Sequence, residues 1–167
     1  DRNADYVAEL GQNLNFNYNR QKRHERLRVG YVSPDFRFHS VSVAFKGILD
    51  NHCTDKIEAY GYALHSGGDD HMTDALRERF HGFHKLVDNS FQDSARLIHD
   101  DEIDILIDLA GHTKGGQLSL LALRPAPIQA HYLGYSATIG ARFLDYLITD
   151  HHQVPPEQRP FFTENLV

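Results

Sequence analysis

From Leu27 onward the chain alternates short apolar runs, rich in Val, Ile and Tyr, with segments long enough for one helix each. That alternation restricts the fold to βαβ units, because parallel strands need a crossover between them. The runs predict strands at Leu27–Val32, Ile57–Leu64, His84–Val87, Ile103–Leu109, Ile128–Leu133 and Phe143–Thr149. Helices are expected between them at Val41–Asn51, Asp70–Phe80, Phe91–Asp100 and Gly116–Leu123. Runs such as IDILIDL show little strict apolar/polar alternation, as expected of a parallel sheet covered on both faces. The expected fold class is α/β: a doubly wound, mostly parallel Rossmann-like sheet with helices on both faces. Residues 1–26, weakly helical, then Asn-rich and charged, read as a lead-in helix or linker. Residues 27–150 read as the Rossmann-like body, and 151–167, with three of the six prolines, as an exit segment.

Bulk properties exclude several classes of function. A chain of 167 residues that is 41% hydrophobic has the material for one domain without covalent staples. A formal net charge of −6 offers no basic face, so no nucleic-acid partner is expected. Cys53 is the only cysteine, which rules out an intrachain disulfide framework and a cysteine-rich zinc site and fits a reducing, cytoplasmic setting. No window approaches the roughly 18 consecutive apolar residues of a membrane span, and DRNADYVAEL lacks the design of a signal peptide, so no membrane partner is expected. The start at Asp1, and an end at Asn165-Leu166-Val167 that reads like the beginning of another apolar run, suggest a piece of a longer polypeptide.

In a doubly wound sheet, ligands bind beyond the carboxyl ends of the strands, so the residues that follow each apolar run carry the information. These are SPDFRFHSVS from Ser33, HSGG from His65, AGHTKGG from Ala110 and GYSAT from Gly134. Three of the four contain a histidine, and all contain a hydroxyl with a glycine or proline. Right-handed crossovers bring them to one edge, where His39 and His112 are expected to face a common cleft. Each residue also has a plain structural use. Asp35 can close an Asx-turn or cap a helix, Ser40 or Ser42 can cap the helix that begins there, and the glycines can supply positive φ.

Sharper signatures are missing. There is no GxGxxG after the first strand, no Walker loop and no GxSxG elbow, so dinucleotide, P-loop and α/β-hydrolase readings lose their main support. The twelve histidines include no HExxH, and no metal site is expected. Lys114 and Arg124 are candidates to meet a phosphate, although surface solvation is the commoner fate of such residues.

The segments RVGYVSPDFRFHSVSVAF, IDILIDLAGHT and ALRPAPIQAHYLGYSATIGARFLDYLITD resemble the amino-terminal catalytic half of the O-linked N-acetylglucosamine transferase and SPINDLY family. The resemblance runs from Leu27 to Val167 and implies one Rossmann-like half of a GT-B fold, in a parent that usually carries tetratricopeptide repeats. The nucleotide sugar then lies between this half and a missing carboxy-terminal half. Its first βα loop has an acid followed four positions later by a histidine, which implies catalytic roles for Asp35 and His39, their division left open. Donor-binding positions are implied at Ser40, at Gly111, His112 and Thr113, and at Leu133, Gly134 and Tyr135. The implied activity is transfer of a sugar from a nucleotide sugar to Ser or Thr of acceptor proteins, with no metal or other cofactor. The donor is UDP-N-acetylglucosamine or, since HSVS is closer to SPINDLY, GDP-fucose. The chain departs from the family's GYPxTTG pattern by reading GYSATIG, with Ser136 and Ile139 in unusual places. The alternative is a stand-alone Rossmann-like binding or scaffold domain without catalysis.

Overall fold

The computed structural model describes residues 14, 16–18 and 24–167. The lead-in helix expected near the amino terminus lies outside the described residues. Among the described residues, seven strands form one sheet: β1 Leu27–Ser33, β2 Ile57–Ala63, β3 Gly82–Lys85, β4 Ile105–Asp108, β5 Ile128–Tyr132, β6 Tyr146–Ile148 and β7 Asn165–Leu166. Their order is β3-β2-β1-β4-β5-β6-β7, and every neighbouring pair is parallel. Four helices connect them: α1 Ser40–Asp50, α2 His71–Arg77, α3 Phe91–Asp100 and α4 Leu118–Ala122. A short 3-10 turn at Arg159–Phe161 precedes β7.

Two separate apolar clusters show that the sheet is covered on both faces. Phe45 and Leu49 of α1 and Met72 and Leu76 of α2 pack with Val29, Tyr31 and Ile107 on one side. Ala95 and Ile98 of α3 and Leu120 and Leu121 of α4 pack with Val32, Tyr62 and Leu106 on the other. Side chains alternate between faces along each strand, so adjacent Tyr31 and Val32 feed opposite cores. The doubly wound reading therefore holds, and it places a reversal of strand order between β1 and β4.

Two differences from the expected elements have local causes. The third strand begins at Gly82 rather than His84, because Gly82 and Phe83 pair with Tyr60 and Gly61 although the glycine reads as a breaker. The final segment does not only leave the sheet: Asn165 and Leu166 pair with Tyr146 and Leu147 as a seventh strand. A two-residue run is too short to show a period in sequence.

Candidate functional site

A cleft of about 650 Å³ opens at the reversal point, lined by residues from all four loops singled out above. Pro34, Asp35, Arg37 and His39 come from the loop after β1, His65, Ser66 and Gly67 from that after β2, Thr113, Lys114 and Gly115 from that after β4, and Gly134 from that after β5. The expected convergence of these loops is what the sheet order produces.

The β1–α1 loop is pinned from below and from the side. Phe36 is fully buried and meets the Phe45 and Phe80 rings at centroid distances of 5.7 and 5.4 Å. Ser42, also fully buried, donates its hydroxyl hydrogen to the Asp35 carbonyl, so it ties the loop rather than capping α1. Asp70, the N-cap of α2, accepts the Phe38 backbone N–H at 2.6 Å along with those of Met72 and Thr73, and the Thr73 hydroxyl donates to the Phe36 carbonyl at 2.8 Å. Hydrogen bonds from the backbone of Phe38 and Thr73 hold the Asp70 carboxyl down at about 2.

That scaffold presents Asp35 and His39 to the cleft. The Asp35 side chain is 10% exposed and caps nothing: its oxygens lie 3.5 Å from the Arg37 guanidinium and 3.5 Å from His39 Nδ1. The expected cap role belongs instead to His39, whose Nδ1 accepts the Val41 backbone N–H at 3.3 Å. One ring nitrogen thus faces both a donor and a carboxylate. With a hydrogen on Nδ1 the ring turns that hydrogen toward the Asp35 carboxylate 3.5 Å away and leaves the Nε2 lone pair free; without one it caps α1 and Nε2 carries the hydrogen. Ser40, expected at the donor, is the exposed first residue of α1 and is absent from the cleft lining.

The opposite wall is built from the turns after β4 and β5. Gly111 adopts φ +57°, and a Cβ there would meet Ile139 Cδ1 and Tyr135 Cβ, each at 2.8 Å. Gly134 passes so close to the β4 end that a Cβ would sit 1.9 Å from the Leu109 carbonyl oxygen. Leu133 before it holds φ 72°, a strained value for a branched side chain that lets the chain turn sharply out of β5. His112 is the main correction to the sequence reading. Its ring does not line the cleft with His39; Nε2–H donates to the Ile139 carbonyl at 3.0 Å and the ring stands edge-on to Tyr135. Of the nine expected site residues, the cleft itself brings together Asp35, His39, Thr113 and Gly134, while Gly111, His112, Leu133 and Tyr135 shape the wall behind it. Lys114 lines the cleft, but Arg124 does not: it is held by Asp145 and the Phe143 and Pro127 carbonyls.

The unusual Ile139 has a structural place here. It is buried, and its N–H donates to Glu164 at 2.7 Å. Burial alone would raise the Glu164 carboxyl, but hydrogen bonds from Thr138, Ile139 and Thr163 hold it below its ordinary value. Reading the sequence missed Glu164, Asp70, and a buried pair of Asp108 and His131. The last two were visible as polar residues inside apolar strand runs, at 1% and 0% side-chain exposure. No helix among the described residues is long and apolar enough to cross a membrane, and none of them form a cluster of three or more side chains suited to a metal.

Comparison with known proteins converges on one family. The model of glycosyl transferase family 41 matches residues 5–167. The chain is 35% identical over 143 residues to a probable UDP-N-acetylglucosamine–peptide N-acetylglucosaminyltransferase SEC of Arabidopsis thaliana, covering 86% of this chain and 15% of that protein. It is 39% identical over 145 residues to a UDP-N-acetylglucosamine–peptide N-acetylglucosaminyltransferase of Caenorhabditis elegans, covering 85% and 12%. An O-GlcNAc transferase mutant of Thermobaculum terrenum superposes with a TM-score of 0.86 at 32% identity, over 98% of this chain and 32% of that one. The chain therefore spans only a small part of the length of these relatives, and it belongs to glycosyl transferase family 41.

Proposed function

We propose that this chain is the acceptor-side half of a protein O-glycosyltransferase, which moves N-acetylglucosamine from UDP-N-acetylglucosamine to Ser or Thr hydroxyls once a carboxy-terminal half completes the cleft. The single observation that carries the reading is the Asp35–His39 arrangement at the open edge of a cleft, in a family 41 chain whose relatives bear that activity in their names. Those names favour UDP-N-acetylglucosamine over GDP-fucose.

The chemistry follows from the choice facing His39 Nδ1. Asp35 selects the form with hydrogen on Nδ1, and Nε2 is then free to take the acceptor hydroxyl's proton as the oxygen attacks the sugar. Released from Nδ1, the Val41 N–H joins the other open N–H groups at the start of α1, a favourable place for the charge that develops on the leaving diphosphate. Lys114 adds a cation on the opposite side of the cleft. This scheme calls on no metal. A free, exposed Cys53 suits the reducing cytoplasm, where we place the protein.

His39→Asn tests the assignment, because Asn keeps the helix cap and removes the base. In the chain completed by its second half, kcat should fall about 100-fold with the melting temperature little changed. Asp35→Asn should lower the rate as well, because its amide no longer selects the Nδ1–H form. Near-normal transfer in both variants returns the loop to a structural turn and favours a binding domain without catalysis. Parallel assays with UDP-N-acetylglucosamine and GDP-fucose decide the donor.

A further inference from the structure

Asp108 ends β4 and pairs in register with His131 of β5, and both side chains are enclosed by the fold. His131 Nδ1 lies 2.9 Å from Asp108 Oδ2, and its Nε2 lies 2.7 Å from the Tyr135 carbonyl oxygen. A carbonyl only accepts, so Nε2 carries a hydrogen. The Asp108 oxygens already accept the backbone N–H of Gly111 at 2.6 Å and of Ala110 at 3.2 Å, so the carboxylate acts as an acceptor throughout and Nδ1 carries a hydrogen too. The ring is an imidazolium with both donors in use. Burial works against that charge, but the Asp108 carboxylate and the Tyr135 carbonyl outweigh it, and the His131 pKa stands above its ordinary value.

Buried ion pairs are often no more stabilising than apolar side chains of the same volume, so this one calls for a reason. What it joins supplies the reason. Through Asp108 it holds the Ala110–Gly111 turn that leads to Thr113, and through Tyr135 it holds the loop that begins at Gly134. Thr113 and Gly134 are the cleft-lining members of those two loops. We infer that His131 is a positioning residue that locks the turns after β4 and β5 to each other, so that the sugar-side wall of the cleft is assembled only while its ring keeps both hydrogens. The part of this that concerns sugar rests on the donor reading above; the lock itself does not.

The titratable groups facing the ring are Asp108 from β4 and Tyr135 from the following loop, with the His112 ring against the far side of Tyr135. Loss of one ring hydrogen leaves either Asp108 or Tyr135 without its donor. Because the folded pKa is raised, the lock is complete below about pH 6.5 and is lost as pH climbs through the raised value.

Nitrogen NMR of the histidine rings in the 167-residue chain tests the lock without any donor. We expect both His131 ring nitrogens to be protonated at neutral pH, and the Gly111 and Ser136 amide signals to move with the His131 titration. A ring with one hydrogen at neutral pH, or amides that titrate independently of it, overturns the inference. In the completed enzyme, His131→Gln should raise the donor KM about tenfold with kcat within about twofold, and should remove the alkaline rise in KM seen with the unsubstituted protein. An unchanged KM in that variant, or an alkaline rise that persists, also overturns it. A completed enzyme with no donor activity at all would sink the glycosyltransferase reading and leave the NMR result to decide the lock.

Discussion

Two histidines are buried on the ligand edge of the sheet, and their surroundings differ in a way that separates the two walls of the cleft. His131, on the β4–β5 side, spends both ring nitrogens on partners from two elements, Asp108 at the end of β4 and Tyr135 in the loop after β5. His65, on the β2 side, is 8% exposed and has no hydrogen-bond partner at either nitrogen. An enclosed polar atom left unpaired costs about 1–3 kcal/mol, whereas a fully paired network in the same low-dielectric setting rigidifies what it touches. The β4–β5 wall is therefore finished within this chain. The β2 wall is not: Ser66, Gly67 and Gly68 over His65 are exposed, and a Cβ at Gly68 would meet nothing within 4 Å.

The largest expected effect breaks the finished wall. Asp108→Ala leaves a buried imidazolium without its counter-charge and the Gly111 and Ala110 N–H groups without an acceptor. Removing one partner of such a pair costs about 3–5 kcal/mol. Chemical denaturation should show that loss, and the double variant Asp108→Leu with His131→Leu should recover the part owed to the unpaired charge, while the Gly111 and Ala110 N–H groups stay without an acceptor. A cost below about 1 kcal/mol for Asp108→Ala would erase the distinction between the two walls.

A smaller effect concerns how the β1 loop is held. Asp70 is a solvent-side residue, yet it accepts three backbone N–H groups, one of them from Phe38 in the loop that carries His39. Its folded pKa of about 2 lies below the ordinary carboxyl value, so its contribution is present above about pH 4 and fades as pH falls toward 2. Asp70→Asn should lower the melting temperature at neutral pH, and the gap between variant and parent should close through that acidic window. A gap that stays constant from pH 7 to pH 2 would show that the carboxylate charge does not clamp the loop.

How much of this was legible in sequence depends on which atoms do the work. The β-strand runs and the convergence of their loops follow from hydrophobic period and crossover handedness, both of which are local or general rules. The placement of Asp35 and His39 on one loop at the ligand edge was legible for the same reason. What sequence could not reveal is competition between partners. Ser40 and Ser42 are better cap residues than histidine by propensity, but Ser42 is drawn into the core to hold the Asp35 carbonyl, and His39 takes the cap. His112 looked like a cleft residue by position, but its Nε2–H goes to the carbonyl of Ile139, and the Ile139 and Gly140 N–H groups that flank that carbonyl are held by the Glu164 carboxylate. That chain of contacts spans residues 112 to 164 and depends on β7 returning to the sheet.

The smallest expected effect is the most direct test of the comparison. His65 lies at the cleft edge with both ring nitrogens buried and unpaired, so replacing it with an apolar side chain of similar size removes an unpaired polar ring and keeps the packing. His65→Leu should leave stability within about 1 kcal/mol of the parent and on the favourable side, the reverse of the Asp108→Ala result. Denaturation of the two variants under one set of conditions gives the sign directly. A His65→Leu loss of several kcal/mol would mean that the imidazole is satisfied in solution, through movement of Ser66 to Gly68 or an enclosed water, and that both walls are finished in the same way.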